Sequence, residues 1–279
     1  MEAIHYFNGQ YLKKGEISIS PNDVGFTRGY AVFEFFKVKG KTPIFWEDHL
    51  DRLEKSAVAI GLPIPLSRDE LKTAILKLVE INGFDYSSIK VMLSGGVSAD
   101  GFSSGAPTLL IQNNPFQDFG KELYEQGASL MLHEYQRDFP LVKSTYYVQA
   151  VALQQQWKSG GHLDVLYHKE GMVSEVSRSS IFIILNGQLI TNKENVLQGV
   201  TQRNVIRAVK NDFEVVVREF SLVELLNAEE VFITSTTKKV VPIVKVGDTV
   251  IGNGKPGMKT LKILSLFEAY IEEFVSVEA

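Results

Sequence analysis

Hydrophobic residues change their spacing along the chain, from the alternation of strands to the three- and four-residue steps of helices. Around Asn8-Gly9, short alternating runs flank a dipeptide that readily adopts positive φ, which predicts a tight hairpin. A similar hairpin is predicted around Gly40. From Leu50 the apolar residues follow a helical period, and Gly61 ends that helix. The N-terminal half is therefore expected to combine hairpins with helices.

The rest of the chain continues this mixture of strands and helices. Strands are predicted at 89–93, 108–112, 128–134, 164–168, 172–175, 181–185, 188–191, 215–219 and 230–234. Helices are predicted at 67–82, 146–157, 201–210, 221–227 and 259–274. Tight hairpins pair their strands antiparallel, so the pattern favours a mixed α+β fold over a doubly wound parallel sheet.

Length and charge limit the possible partners. The chain has 279 residues, of which 29 are Lys or Arg and 33 are Asp or Glu, so the net charge is −4. This length suits one large domain or two medium ones, and the polar stretch from Asn113 to Gly120 is the best position for a linker. Basic residues are interleaved with acidic ones, so nucleic acid is not expected as the main partner.

Several other classes are excluded by what the sequence lacks. No apolar run approaches the roughly 18 residues of a membrane span, and the N-terminus does not resemble a signal peptide, so a cytoplasmic protein is expected. The absence of cysteine excludes thiol nucleophiles and cysteine-ligated zinc. The five histidines do not show the spacing of a zinc helix, and no metal site is expected.

Two short motifs match known patterns by letter but not by context. The segment Gly101–Gly105 fits G-x-S-x-G, yet a strand follows it where the nucleophile elbow needs a helix. The segment Gly252–Gly257 fits G-x-G-x-x-G, but too few residues follow for a dinucleotide-binding βαβ unit. Both segments are predicted to be loops.

Two other segments could bind an anion. Gln198–Thr201 precedes a helix with Thr201 as the expected cap, and a helix N-terminus offers free N–H groups to a phosphate. Thr234–Thr237 offers hydroxyls and backbone donors after a strand. Arg52 could add a bidentate phosphate contact. Helix capping, a polar loop and a surface arginine explain these residues equally well at this point.

Two charged residues stand in apolar surroundings. Lys143 follows Pro140-Leu141-Val142, and a desolvated lysine has a lowered pKa that makes its amine a nucleophile for a carbonyl. Glu175 lies on an apolar strand, where a buried carboxylate needs a partner. The alternatives are a lysine that reaches solvent and a strand residue that faces water.

Together and in order, these segments resemble one family. The motifs that carry the resemblance are Asn8-Gly9, Asp23-x-Gly25, Arg28–Glu34, Phe45-x-x-x-His49-Leu50-x-Arg52, Lys143, Gly171–Glu175, Leu197–Thr201, Glu229–Phe232, Thr234–Thr237 and Gly254–Gly257. The chain is similar to the fold-type IV pyridoxal-phosphate enzymes, also called class IV aminotransferases. This family includes branched-chain aminotransferases, D-amino acid aminotransferases and aminodeoxychorismate lyases. The resemblance covers nearly the whole chain.

The resemblance implies a role for each candidate residue. Lys143 matches the lysine that forms a Schiff base with the cofactor and moves the proton, and Glu175 matches the acid that pairs with the pyridine nitrogen. The positions that match the phosphate site are Arg52, Val200, Thr201 and Thr236. The positions that match the substrate pocket are Phe33, Gly95, Thr236 and Thr237.

The chain also departs from its relatives. Ser180 matches a cofactor-binding position at which relatives usually have asparagine. Gln202 stands where relatives often have arginine. D-amino acid aminotransferases use an arginine where this chain has Gly95, so that substrate class ranks below small apolar amino acids with 2-oxoglutarate as acceptor. Aminodeoxychorismate lyase stays open, and so does a pyridoxal-phosphate-binding protein with little catalysis.

The resemblance also implies an architecture. It predicts an N-terminal α/β sandwich at 1–113, a linker at 114–122, and a C-terminal pseudo-barrel with antiparallel strands at 123–279 that carries the Schiff-base lysine. A cofactor cleft between the two domains and a homodimer are further implications of the family.

Overall fold

The computed structural model describes residues 2–278, which form two compact units. Unit 1 comprises the described residues of Met1–Gln117, Val142–Tyr147 and Phe274–Ala279. Unit 2 comprises Asp118–Leu141 and Val148–Glu273.

Unit 1 is a six-stranded sheet with helices. Its strands are β1 (Ile4–Phe7), β2 (Gln10–Lys13), β3 (Ala31–Lys39), β4 (Thr42–Pro43), β5 (Tyr86–Ser94) and β6 (Thr108–Pro115), and its helices are α1 (Val24–Arg28), α2 (Trp46–Ala59) and α3 (Arg68–Asn82). The strand order is β2-β1-β6-β5-β3-β4, and every pair is antiparallel.

Local sequence explains the elements of unit 1. Asn8 and Gly9 both have positive φ in the turn that joins β1 to β2, as the hairpin signal predicts. Ser67 and Glu70 form the capping box that starts α3. Alternate residues of β3 pack with apolar faces of α2 and α3 in a shared core. This core holds β3 and α2 rigidly, and these two elements carry the first group of candidate residues.

Unit 2 contains the remaining nine strands. They are β7 (Ala128–Glu134), β8 (Asp164–Lys169), β9 (Met172–Val176), β10 (Ser180–Leu185), β11 (Gln188–Thr191), β12 (Val215–Val217), β13 (Glu230–Ser235), β14 (Lys239–Val246) and β15 (Thr249–Val250). The helices are α4 (Glu122–Gln126), α5 (Val148–Ser159), α6 (Val200–Val209), α7 (Leu222–Leu226) and α8 (Met258–Glu278), whose last residues group with unit 1.

The strands of unit 2 follow one continuous path. The order is β12-β11-β10-β13-β14-β7-β8-β9, with β15 on β14. Hairpins make most pairs antiparallel, while β11 with β12, β14 with β7, and β7 with β8 are parallel. An isolated bridge between Val176, at the end of β9, and Ser179, just before β10, closes the turn that joins these two strands, and apolar residues of the sheet form a core. The predicted mixed α+β class with two sheets is confirmed.

The two units differ from the predicted domain boundaries at one functional segment. The prediction assigns Val142–Tyr147 to the C-terminal domain, yet this segment hydrogen-bonds along β3 and groups with unit 1. The predicted helix at 146–157 accordingly begins only at Val148. The boundaries 1–113, 114–122 and 123–279 stay a prediction. Among residues 2–278, no helix combines the length and the apolar character needed to cross a membrane.

Candidate active site

Two hydrogen bonds fix the backbone of Lys143. Its carbonyl accepts from the amide of Phe33 at 3.0 Å, and its amide donates to Ser56 Oγ of α2 at 3.1 Å. The Lys143 amine then lies 4.4 Å from the centre of the Phe33 ring. A tilted contact at 6.0 Å joins this ring to Tyr147. The lysine therefore extends over an aromatic surface from a fixed backbone position.

Arg52 is part of a buried polar cluster on the core-facing side of β3. Glu34 is fully buried and receives two hydrogen bonds from Arg52, from Nε at 2.7 Å and from Nη2 at 2.9 Å. His49 Nδ1 lies 2.7 Å from Glu34 Oε2. His49 and Arg52 fall one turn apart on α2, and Glu34 alternates with apolar residues on β3. We call Glu34, His49 and Arg52 the buried triad.

The charges of the buried triad follow from their surroundings. Burial alone would raise the pKa of Glu34, but the charge and hydrogen bonds of Arg52, helped by His49, hold it far below its usual range. Burial lowers the pKa of His49 despite the opposing effect of Glu34, and Arg52 and Lys143 lower it further. His49 is therefore a neutral imidazole that donates Nδ1–H to the ionised Glu34.

Gly95 lies where no side chain fits. Its amide donates to the Tyr30 carbonyl at 3.1 Å, and a Cβ here would collide with the Tyr30 ring and lie 2.7 Å from Val24 Cγ2. Close packing thus explains why glycine occupies the position. This backbone therefore has no room for a larger side chain such as arginine.

In unit 2, Glu175 of β9 has a strong cationic partner. Arg137 Nε donates to Glu175 Oε1 at 2.6 Å, and the Leu197 amide donates to Oε2 at 3.3 Å. Arg137 is itself fixed by a bond from Nη2 to the Pro140 carbonyl at 2.6 Å. Glu175 is only 6% exposed. Glu175 is thus a buried carboxylate that accepts hydrogen bonds from an arginine and a backbone amide, and a carboxylate can pair with a protonated ring nitrogen.

The N-terminus of α6 presents unpaired amides. Helix α6 begins at Val200 with Gly199 as its cap, so the expectation that Thr201 is the cap is wrong; Thr201 lies inside the first turn. Glycine supplies no capping oxygen, and a Cβ at Gly199 would lie 2.5 Å from Ser180 Oγ. Within residues 2–278 the amides of Val200 and Thr201 have no hydrogen-bond acceptor. They are available to an anion.

Gln202 fixes this helix end instead of contributing charge. Its Nε2 donates to Thr191 Oγ1 at 2.7 Å and to the Asn192 carbonyl at 2.8 Å, and its Oε1 accepts from the Gly199 amide at 3.3 Å. The side chain is 5% exposed. The sequence identifies Gln202 only as a lost cation, whereas the structure shows it tying α6 to the end of β11.

A polar turn follows β13. Ser235 Oγ lies 3.4 Å from Thr237 Oγ1 and accepts from the Lys238 amide at 3.2 Å, which orders the turn that contains Thr236. On the neighbouring strand, Ser180 pairs in register with Thr234. Thr234 Oγ1 is buried and has no partner among the described residues. Unpaired amides at α6 and an orphaned hydroxyl on β13 fit a bound group rich in acceptor oxygens, such as a phosphate monoester.

Comparisons with known proteins agree on one family. The family model described as Amino-transferase class IV matches residues 31–246, well over half of the chain. The chain belongs to the class IV aminotransferases. It is an aminotransferase, and the cofactor of this family is pyridoxal 5'-phosphate. Enzymes of this family act on small amino acids and keto acids.

Relatives of this aminotransferase carry two different names. A D-alanine aminotransferase of Bacillus licheniformis is 27% identical over 92% of this chain and 93% of its own length. A putative branched-chain-amino-acid aminotransferase of Methanocaldococcus jannaschii is 28% identical over 94% of each. The sequence comparisons therefore leave the substrate open between D-alanine and branched-chain amino acids.

Solved structures share the fold of this aminotransferase. The branched-chain amino acid aminotransferase from Escherichia coli has a TM-score of 0.87 and 22% identity, with coverage of 96% of this chain and 94% of that chain. A hypothetical aminotransferase from Mycobacterium tuberculosis, solved in its PLP-bound form, has a TM-score of 0.81 and 18% identity, with coverage of 96% and 99%.

The structure brings the predicted residues together in two sets. In unit 1, Lys143 and Phe33 are in contact, and Arg52 lies one helical turn from the Ser56 that holds Lys143. In unit 2, Ser180 Oγ lies beside Gly199, the cap of α6, and Val200 and Thr201 form the first turn of that helix. Gly95 is packed against Tyr30.

Three residues close to these sets have no predicted role in the sequence. Glu34 and His49 belong to the sequence motifs but have no role assigned to them, and Arg137 belongs to no motif. For Glu34 a signal exists, because a glutamate at a core-facing position of β3 requires a cation. For Arg137 there is none, since its partner lies on a different strand.

Proposed function

We propose that this aminotransferase holds pyridoxal 5'-phosphate through Arg52, Lys143, Glu175, Ser180, Val200, Thr201 and Thr236. The observation that carries the assignment is Lys143, whose backbone is anchored to Phe33 and Ser56 while its amine extends over the Phe33 ring. The unpaired amides of α6 and the orphaned Thr234 hydroxyl support a phosphate at that end of the cofactor.

Each residue then has one chemical task. When bound, the cofactor ring accepts the electron pair left on the substrate α-carbon after that carbon loses its proton. Lys143 Nζ would hold the cofactor aldehyde until the substrate amine replaces it; the freed amine would then take this proton and later give it back, so one amine serves as base and acid. Glu175 would pair with the protonated pyridine nitrogen, and Arg137 Nε fixes the position of the Glu175 carboxylate by a hydrogen bond. The amides of Val200 and Thr201 and the side chains of Arg52 and Thr236 orient the phosphate.

We further propose that the amino donor is a small apolar amino acid and that the acceptor is 2-oxoglutarate. Phe33 and Tyr147 offer an apolar wall beside the Lys143 amine, which suits a branched aliphatic side chain. The crowding of Gly95 by Tyr30 leaves no place for an arginine that would favour D-amino acids. Thr237 completes the substrate site next to Thr236.

A homodimer is proposed as the working assembly. An apolar groove of about 500 Å³ in unit 1 is lined by residues that include Ile19, Phe26, Met92 and Leu110, and Phe26 is 78% exposed. Covering such a surface with a second copy would remove apolar area from water. Sedimentation of the wild type and of Phe26→Ser tests this, with a concentration-dependent loss of dimer expected in the variant.

The absorbance of the bound cofactor tests the lysine assignment. We expect Lys143→Ala to lose the visible band of the lysine-bound cofactor and all transamination, while Lys158→Ala, at an exposed lysine on α5, keeps both. A visible band retained in Lys143→Ala would contradict the assignment of Lys143.

A donor scan tests the substrate. L-leucine, D-alanine and aminodeoxychorismate are offered separately, and keto-acid formation from L-leucine is expected with 2-oxoglutarate as acceptor. Turnover of D-alanine alone would replace the proposed substrate with a D-amino acid. Pyruvate from aminodeoxychorismate, without a keto acid from leucine, would identify a lyase. A coloured protein that converts none of the donors would be a cofactor-binding protein with little catalysis.

A further inference from the structure

Lys238 is a buried lysine that the proposed mechanism does not use. It directly follows Thr236 and Thr237 in the turn after β13 and is only 4% exposed. Its backbone is fixed, since the amide donates to Ser235 Oγ and the carbonyl accepts from the Tyr124 hydroxyl, each at 3.2 Å. Its amine forms no hydrogen bond or ion pair with any residue of 2–278.

The carboxylate whose charge acts on Lys238 is Asp164, and other donors already occupy both of its oxygens. Asp164 is fully buried, and its Oδ1 accepts from Ser177 Oγ at 2.5 Å and from the Val165 amide at 2.9 Å. Its Oδ2 accepts from Arg178 Nη2 at 3.1 Å and from Nε at 3.2 Å. Arg178 and Lys238 therefore share a single carboxylate, and one positive charge is left without a partner in this part of the described chain.

The titration of Lys238 agrees with this geometry. Burial is the main cause that lowers its pKa to about 8, Arg178 lowers it as well, and Asp164 opposes them. Most of the amine is still protonated at pH 7, so a cation persists in a buried position. A buried charge without a hydrogen-bonded counter-ion destabilises the folded state, and a ligand of opposite charge would offset this effect.

The position of Lys238 indicates which anion that is. The phosphate of the cofactor already has Arg52 and the amides of α6 as proposed partners. The residues proposed for the substrate pocket, Phe33, Gly95, Thr236 and Thr237, carry no positive charge to pair with the substrate carboxylate. Thr237, the residue proposed to contact that carboxylate, precedes Lys238 directly. We propose that Lys238 binds the carboxylate of the amino-acid substrate; this rests on the proposed function and extends its substrate site by one residue.

Lys239 provides a matched control. It is the next residue in the chain and also a lysine, but its amine pairs with Glu268 at 2.8 Å and with Asp118 at 3.2 Å. A substitution at Lys239 removes the same charge from the same turn without touching the unpartnered amine. Lys238→Met and Lys239→Met can therefore be compared directly.

The experiment measures binding of a carboxylate and of its neutral counterpart to the cofactor-loaded protein. By calorimetry, 4-methylvaleric acid and 4-methylvaleramide are titrated into the wild type and both variants. We expect Lys238→Met to weaken binding of the acid by roughly 10- to 100-fold, which is the range for a lost charge-assisted hydrogen bond. The amide should change less than twofold, and Lys239→Met should match the wild type for both ligands. In steady state, KM for the amino donor should rise more than kcat falls.

Each other outcome overturns the proposal. Unchanged acid binding in Lys238→Met would show that the amine does not contact the carboxylate. Equal losses for acid and amide, or a marked fall in melting temperature, would make Lys238 a structural residue, because replacing an unpartnered buried ammonium with methionine should not destabilise the fold. Weaker pyridoxal-phosphate binding with unchanged pyridoxal binding would assign Lys238 to the phosphate. A protein that takes up no cofactor would instead contradict the proposed function.

Discussion

The buried triad allows a quantitative prediction about stability. Glu34 accepts from Arg52 Nε, Arg52 Nη2 and His49 Nδ1, all within 2.9 Å and with no solvent exposure of Glu34. In Glu34→Gln the amide retains one acceptor oxygen, and its NH2 group then faces a donor of Arg52 or His49. Removing one partner of a buried ion pair costs about 3–5 kcal/mol because the other charge stays buried. We expect the free energy of unfolding to fall by about this amount.

Urea denaturation with a matched variant tests this magnitude. Glu47 also pairs with two cations, Arg68 and Lys72, but its side chain is 53% exposed. Glu47→Gln should therefore lose less than about 1 kcal/mol. Midpoints and slopes for both variants give the two losses on one scale. Equal losses in Glu34→Gln and Glu47→Gln would refute the reasoning, since they would show that burial does not strengthen the triad.

Three further predictions concern the same sites. Because the folded-state pKa of Glu34 lies below its ordinary value, its stabilising effect is present above the unfolded pKa of about 4.3 and is lost as the pH falls below it; the difference in melting temperature between wild type and Glu34→Gln should stay constant from pH 7 down to that pKa and shrink below it, and a difference that grew on acidification would contradict the assignment. Gly95→Arg should lower the urea midpoint through its collision with Tyr30 and should not create turnover of D-alanine, as a coupled keto-acid assay can check. Gly199→Ala should lower the urea midpoint, because its Cβ would lie 2.5 Å from Ser180 Oγ, and Ser180→Ala in the same chain should recover part of that loss; no recovery would disprove the steric cause.

Local sequence signals predict the helices and hairpins better than they predict which distant segments pair. The Asn8-Gly9 hairpin and the capping box of Ser67 depend on neighbouring residues, and both are where the sequence indicates. The attachment of Lys143 to β3 depends on contacts between segments far apart in the chain, and no local pattern reports it. The same holds for the parallel pairing of β7 with β14.

The candidate site is predictable as a set of residue types but not as a network. Lys143, Glu175 and the N-terminus of α6 can be named from motifs. Their supports, Arg137 on Glu175 and Gln202 on β11, follow from tertiary packing that brings side chains of different strands within hydrogen-bond reach. The unpartnered amine of Lys238 is equally hidden, because the sequence does not tell which lysine of the pair Lys238-Lys239 is buried.

The central claim is that Lys143 carries the cofactor. Reduction of the loaded protein with sodium borohydride fixes the cofactor to its lysine as a stable secondary amine, and peptide mass mapping then identifies that lysine. The account predicts a single modified peptide containing Lys143. Modification of Lys238, the buried lysine whose pKa is lowered to about 8, would contradict it.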